Sequence, residues 1–164
     1  MTAIAHLGVT VTDLDHAAAW YEDVLGFEAL GTPVEVLDGG GYAGELAATV
    51  FGAGFGGFRQ AHLASANGAA LELFEFLHPP SEPRADNFDF RRTGISHFCV
   101  VVPDVERTAR RIAARGGRRR TRDVKEIFPG EPYRTCFCVD PFGNVVELYS
   151  HSHERTYANR DGSP

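Results

Sequence analysis

The spacing of apolar and polar positions predicts two rounds of the same elements. Residues 3–11 alternate in the short, β-branched manner of a strand. Leu14, Ala17, Ala18, Tyr21, Val24 and Leu25 then recur at helical spacing. Thr12 or Asp13 is placed to cap that helix and Gly26 to stop it. A strand is expected over 27–32, closed by Pro33. Residues 58–64 and 69–76 read as a hairpin around Ser65, Ala66, Asn67 and Gly68. Residues 78–93, with Pro79, Pro80 and Pro83, break regular structure and read as a connector.

The second round follows. Residues 95–102 form a strand, and Asp104 caps a helix to about 115 with Val105, Ala109, Ile112 and Ala113 on one face. Gly116 and Gly117 end it, and a further strand covers 118–124. Residues 133–139 and 145–150 make a hairpin across the turn Asp140, Pro141, Phe142, Gly143, Asn144. The chain is thus expected to be α+β, with βαβββ modules at 1–77 and 94–150. Residues 151–164 are polar and aperiodic and read as a tail, in spite of His151 and His153.

The residues themselves repeat. The ten from His6 to Asp15 align without a gap on His97 to Glu106, and Gly68 to Phe74 align on Gly143 to Tyr149. His6 and Glu72 are 66 positions apart, and His97 and Glu147 are 50 apart. The 16 extra positions fall within about 34–57, where glycines flank a stretch suited to a short helix. Such inserted segments either cover sites or lie on the surface as plain loops.

Strand alternation gives the repeat its chemistry. His6 shares a face with Gly8 and Thr10, while Leu7, Val9 and Val11 turn to the helix. Glu72 shares a face with Phe74 and Phe76, opposite Leu71, Leu73 and Glu75. His97 and Glu147 stand the same way in the second module, so all four face away from the helices. One strand histidine alone is ordinarily structural. Two imidazoles and two carboxylates at matching places suit a single divalent metal. Gathering two carboxylates out of water costs several kcal/mol unless a cation offsets them.

Composition narrows the class. The 164 residues are 43% hydrophobic with a net charge of −6. There is no global basic field for nucleic acid and no run for a bilayer. The run Arg118, Arg119, Arg120, Thr121, Arg122 reads as a solvated face. The N-terminus lacks the regions of a signal peptide. Three cysteines, Cys99, Cys136 and Cys138, form no disulfide framework, and Cys136 and Cys138, two apart in an apolar run, read as small core-facing residues in a reducing cytoplasm.

The pattern resembles the vicinal oxygen chelate superfamily, which includes glyoxalase I, methylmalonyl-CoA epimerase, extradiol dioxygenases and fosfomycin or bleomycin resistance proteins. The resemblance is carried by His6 to Leu14, Trp20 to Phe27, Leu71 to Leu73, Gly94 to Phe98 and Asp140 to Leu148. It implies a partly open, eight-stranded barrel-like sheet with helices outside, around one ion of zinc, nickel, cobalt, manganese or iron. It also implies a small carbonyl or diol substrate and a homodimer. The set His6, Glu72, His97 and Glu147 resembles the glyoxalase–epimerase branch, with proton transfer beside a carbonyl. Glu147 is the first choice of base and Glu72 the second. Thr10 stands where glyoxalase I enzymes usually carry an arginine for glutathione, which argues against that thiol. Two alternatives stay open: an Fe(II) extradiol-type dioxygenase, and a binding or resistance protein without turnover. Arg59, His62, Tyr133 and Arg134 are the expected substrate contacts, the arginines for an anionic group.

Overall fold

The computed structural model describes residues 2–84, 88–89 and 91–158. The chain forms two compact units, Met1–Pro83 and Arg84–Pro164.

In the first unit β1 (His6–Thr10) leads into α1 (Leu14–Trp20), which widens into a π-helical turn over Tyr21–Leu25. Then come β2 (Glu28–Ala29), β3 (Val34–Leu37), α2 (Gly41–Phe51), β4 (Gly57–Ala64) and β5 (Ala70–His78). β1 pairs parallel with β5, β5 antiparallel with β4, and β2 and β3 both with β4. β2 meets Leu63 and Ala64 while β3 meets 57–60, so the two are one edge strand broken in the middle. The strand expected over 27–32 shrinks to two residues because Gly31 turns at φ +82° just ahead of Pro33.

The second unit repeats this order. β6 (Phe98–Val101), α3 (Val105–Ala114), β7 (Arg118–Arg119), β8 (Lys125–Glu126), β9 (Arg134–Val139) and β10 (Val145–Tyr149) give a sheet with β10 between β6 and β9. β7 and β8 are again a broken edge, in place of the strand expected over 118–124. The fold is α+β, and each module is βαβββ once the two edge pieces are taken as one strand.

Both helices start the same way. Asp13 accepts from His16 N and Asp104 from Arg107 N, each at 2.9 Å, a cap that contributes about 1 kcal/mol. Gly26 ends the first helix at φ +74°. Leu14, Ala17, Trp20, Tyr21 and Val24 are buried on one side of the first sheet, against Ala61, Leu63, Leu71 and Leu73. Each large side chain in that layer stabilises the fold by about 1.5–3 kcal/mol. Val105, Ala109 and Ile112 do the same over Cys136, Cys138, Val146 and Leu148. Ala113 is exposed, so the apolar stripe of α3 is narrower than its sequence predicts.

Two expectations change. Residues 151–164 do not begin as a tail: Ser152 caps α4 (His153–Tyr157), which buries Thr156 and sets Tyr157 against Phe128 and His153. The arginine run is not wholly solvated either. Arg119 forks onto Glu106 at 2.9 and 3.1 Å, and Arg120 lies 4.4 Å over the Phe88 ring.

The insert is a helix. α2 packs through Gly44, Ala47, Ala48 and Phe51 onto Val36, Phe55, Phe58, Phe74 and Phe76. A Cβ on Gly44 would stand 2.1 Å from the Leu37 carbonyl oxygen, so only glycine allows this approach.

Candidate metal centre

In the first unit, the parallel register of β1 on β5 sets Gly8 beside Glu72 and His6 beside Ala70. His6 Nε2 then reaches Glu72 Oε2 at 3.2 Å. His62, directly opposite Glu72 on β4, brings Nδ1 to within 3.5 Å of Oε1. One carboxylate thus stands between two imidazoles, all on the face away from α1.

In the second unit His97 Nε2 lies 3.3 Å from Glu147 Oε2. Glu147 is only 7% exposed, and its other oxygen accepts the Thr135 hydroxyl at 2.8 Å. Phe137 occupies the place across from Glu147 that His62 takes across from Glu72, and its ring packs edge-on to His97 at 5.1 Å. Cys99 stands beside Glu147 in the strand register and keeps access to solvent. Its thiol is pushed up to about 12, first by desolvation and then by the Glu147 charge.

The donor set suits a borderline divalent ion. Imidazole nitrogens and carboxylate oxygens face one another at 3.2–3.5 Å in each pair, and part of each carboxylate already has a second partner. Among the described residues, no three or more His, Cys, Asp or Glu side chains are grouped so as to hold an ion by themselves. Each unit holds one His–Glu pair of its own, with His62 beside the first.

The other expected contacts fall elsewhere. Arg59 lies on the helix side of β4, where it donates to Asp15 at 2.8 Å and Glu75 at 3.1 Å. Glu75 also accepts from Leu14 N, so the arginine stitches α1 to the sheet. Alternation along β4 explains this: Arg59, Ala61 and Leu63 face the helix, while Phe58, Gln60 and His62 face the other way. Arg134 alternates away from Thr135 and Phe137. It pairs with Glu126 at 3.0 Å and bonds the carbonyls of Glu131 and Tyr133. Tyr133 packs against Phe128 and His151. Thr135 carries no signal in the sequence beyond its place two residues before Phe137 on the strand facing Glu147.

Comparison with known proteins decides the family. The model of the Glyoxalase/Bleomycin resistance protein/Dioxygenase superfamily matches residues 3–148.

The chain belongs to this superfamily.

No curated protein sequence matches it. A glyoxalase family protein from Bacillus cereus is similar in fold, at 21% identity and a TM-score of 0.72, over 91% of this chain and 93% of that one. Glyoxalase I from Zea mays gives 21% and 0.60, and the alignment spans 91% of this chain but only 44% of the plant protein. A mutant of the fosfomycin resistance protein FosX from Listeria monocytogenes, solved with Mn(II) and a dihydroxypropylphosphonic acid, gives 14% and 0.59 over 96% and 97%. At these identities the likeness is one of fold. Among the described residues of this superfamily member, no helix is long and apolar enough to cross a membrane.

Proposed function

We propose that the protein is a metal-dependent enzyme that moves a proton beside a carbonyl group of a small oxygen-chelating substrate. The observation that carries this reading is the repeated His–Glu pair, 3.2 Å in one module and 3.3 Å in the other. His6, Glu72, His97 and Glu147 are the proposed ligands. Binding of manganese by a fold relative supports the choice of a divalent ion. When bound, such an ion polarises a carbonyl oxygen and acidifies the neighbouring C–H.

The chain's own groups supply the proton transfer. Glu147 is the proposed base. Its buried position keeps water from competing for the carboxylate, and Thr135 fixes Oε1, so that Oε2, which faces His97 at 3.3 Å, is the oxygen that would take the proton. Glu72 is the proposed second acid–base group. His62 beside it would hold the carboxylate in place whichever oxygen carries the proton. Two acid–base carboxylates of this kind suit removal of a proton from a carbon and its return, as an isomerase or epimerase requires.

Solvent deuterium exchange at the substrate carbon tests the assignment. Glu147→Gln with metal retained is expected to slow exchange by about 100-fold or more, the usual range for losing a general base. Exchange at the wild-type rate would remove Glu147 from the role.

A further inference from the structure

The face of β5 that carries Glu72 continues through Phe74 to Phe76. Beside it on β4 run His62, Gln60 and Phe58. The ring of Phe74 leans over Gly8, where an added Cβ would meet it at 3.5 Å. Beyond it Phe58, Phe74 and Phe76 have ring centroids 5.2–6.1 Å apart. α2 lays Phe51 against this group, 5.0 Å from Phe76 and 5.5 Å from Phe55.

These rings do not close on themselves. A cavity of about 380 Å³ opens between Phe51, Ala53, Phe55, Phe76, Pro79 and Pro80. Its volume is that of a small-molecule site. Among the described residues no charged side chain lines it. The hydroxyl oxygen of Ser81, its polar lining residue, already accepts from Phe76 N at 2.8 Å. Phe51 is left 43% exposed at this wall although it touches four other rings.

We infer that the cavity takes an aromatic or polycyclic apolar body of the substrate, whose oxygen-bearing end reaches the His6–Glu72–His62 group. Four residues of strand separate Glu72 from Phe76, about 13 Å at 3.3 Å per residue. A two-ring substrate spans that length, and a three-carbon ketoaldehyde does not. Contacts from the three phenylalanines that line it, Phe51, Phe55 and Phe76, favour a flat ring system over a branched aliphatic chain. The polar end of this inference rests on the proposed metal centre; the cavity stands without it.

The test uses two bidentate oxygen chelators, acetohydroxamate and 4-phenylbenzohydroxamate, titrated into the metal-loaded protein by calorimetry. Burial of the biphenyl predicts binding about 30-fold tighter than acetohydroxamate or better. Ala53→Trp, which fills the cavity from an exposed turn, and Phe76→Ala, which removes a wall, are each expected to cut that advantage at least fivefold. An advantage unchanged in both folded variants, or absent from the wild type, overturns the inference. Biphenyl-4-carboxamide, which has the rings and no chelating end, is titrated into the metal-free protein. Binding that Ala53→Trp abolishes supports the cavity even where no metal is taken up, and that pattern would overturn the metal centre alone. Metal uptake with no binding of the carboxamide would overturn the cavity alone.

Discussion

The Thr135 hydroxyl donates to Glu147 Oε1 at 2.8 Å, from a strand whose neighbouring residue points the other way. That bond aims one oxygen of the carboxylate and leaves the second beside His97. Supporting bonds of this kind set the orientation and basicity of a metal ligand. Thr135→Val keeps the shape and removes the donor. Metal affinity is expected to fall by about 10-fold or more, with the unfolding midpoint of the metal-free protein little changed. Competition with a chromophoric chelator measures the first, and denaturant titration the second.

His62 and Phe137 occupy equivalent places across from the two glutamates. The modules are therefore not equal: Glu72 has an imidazole on each oxygen, and Glu147 has an imidazole and a hydroxyl. His62→Phe copies the second module into the first. It is expected to lower kcat more than it lowers metal affinity, because it removes the partner that holds Glu72 when the ligand oxygen shifts. Equal kcat for variant and wild type under metal saturation would show that His62 does no such work.

Arg59 is committed to Asp15 and Glu75 on the helix side. Asp15 is well exposed and Glu75 only partly buried, so solvent screens the pair. Arg59→Met is expected to lower stability by about 1 kcal/mol with KM unchanged. A large rise in KM for an anionic substrate would return Arg59 to the binding role expected from the sequence.

Gly44 reverses the usual sign of a helix substitution. Alanine for glycine inside a helix ordinarily stabilises by about 1 kcal/mol. Here the new Cβ would meet the Leu37 carbonyl at 2.1 Å, and such overpacking costs about 1–3 kcal/mol. Gly44→Ala is expected to lower the unfolding midpoint and to expose residues 39–56 to limited proteolysis. A midpoint higher than that of the wild type would mean that α2 does not sit against β3.

Cys99 has solvent access and a thiol whose pKa is raised by desolvation and by the Glu147 charge. Its raised pKa of about 12 leaves roughly 500-fold less thiolate at pH 9 than an ordinary cysteine. The greater intrinsic nucleophilicity of a more basic thiolate recovers part of this, so alkylation is expected to be about 20-fold slower than for a free peptide thiol. The sign for stability follows. The folded pKa lies above the unfolded one, so the contribution is fully present below about pH 9 and is lost as pH rises toward 12. Glu147→Gln removes the charge that adds to desolvation and is expected to speed alkylation of Cys99, followed by mass spectrometry. No change in rate would show that burial alone sets the thiol.

Much of this was legible in the residues. Asp13 and Asp104 cap, Gly26 stops, and the period of two puts His6, Glu72, His97 and Glu147 on one kind of face. Each of these effects is local in sequence. What was not legible depends on partners far along the chain. The side of β4 taken by Arg59 is settled by Asp15 and Glu75, 44 and 16 positions away. The fold of 153–157 is settled by Phe128 and Tyr149. The split of each edge strand comes from pairing with a longer neighbour, which runs of two residues cannot announce. Thr135 and the phenylalanine cavity belong to the same class, because both arise from register.

Metal content bears most directly on the paired His–Glu centre. Protein purified without chelator, and metal-free protein reloaded in turn with zinc, nickel, cobalt, manganese and iron, is assayed by elemental analysis and calorimetry. One divalent ion per chain is expected. Its affinity should fall by more than about 10-fold in each of His6→Ala, Glu72→Ala, His97→Ala and Glu147→Ala. A wild-type chain that binds no divalent ion, or one whose binding is indifferent to both glutamates, would contradict the centre and the chemistry built on it.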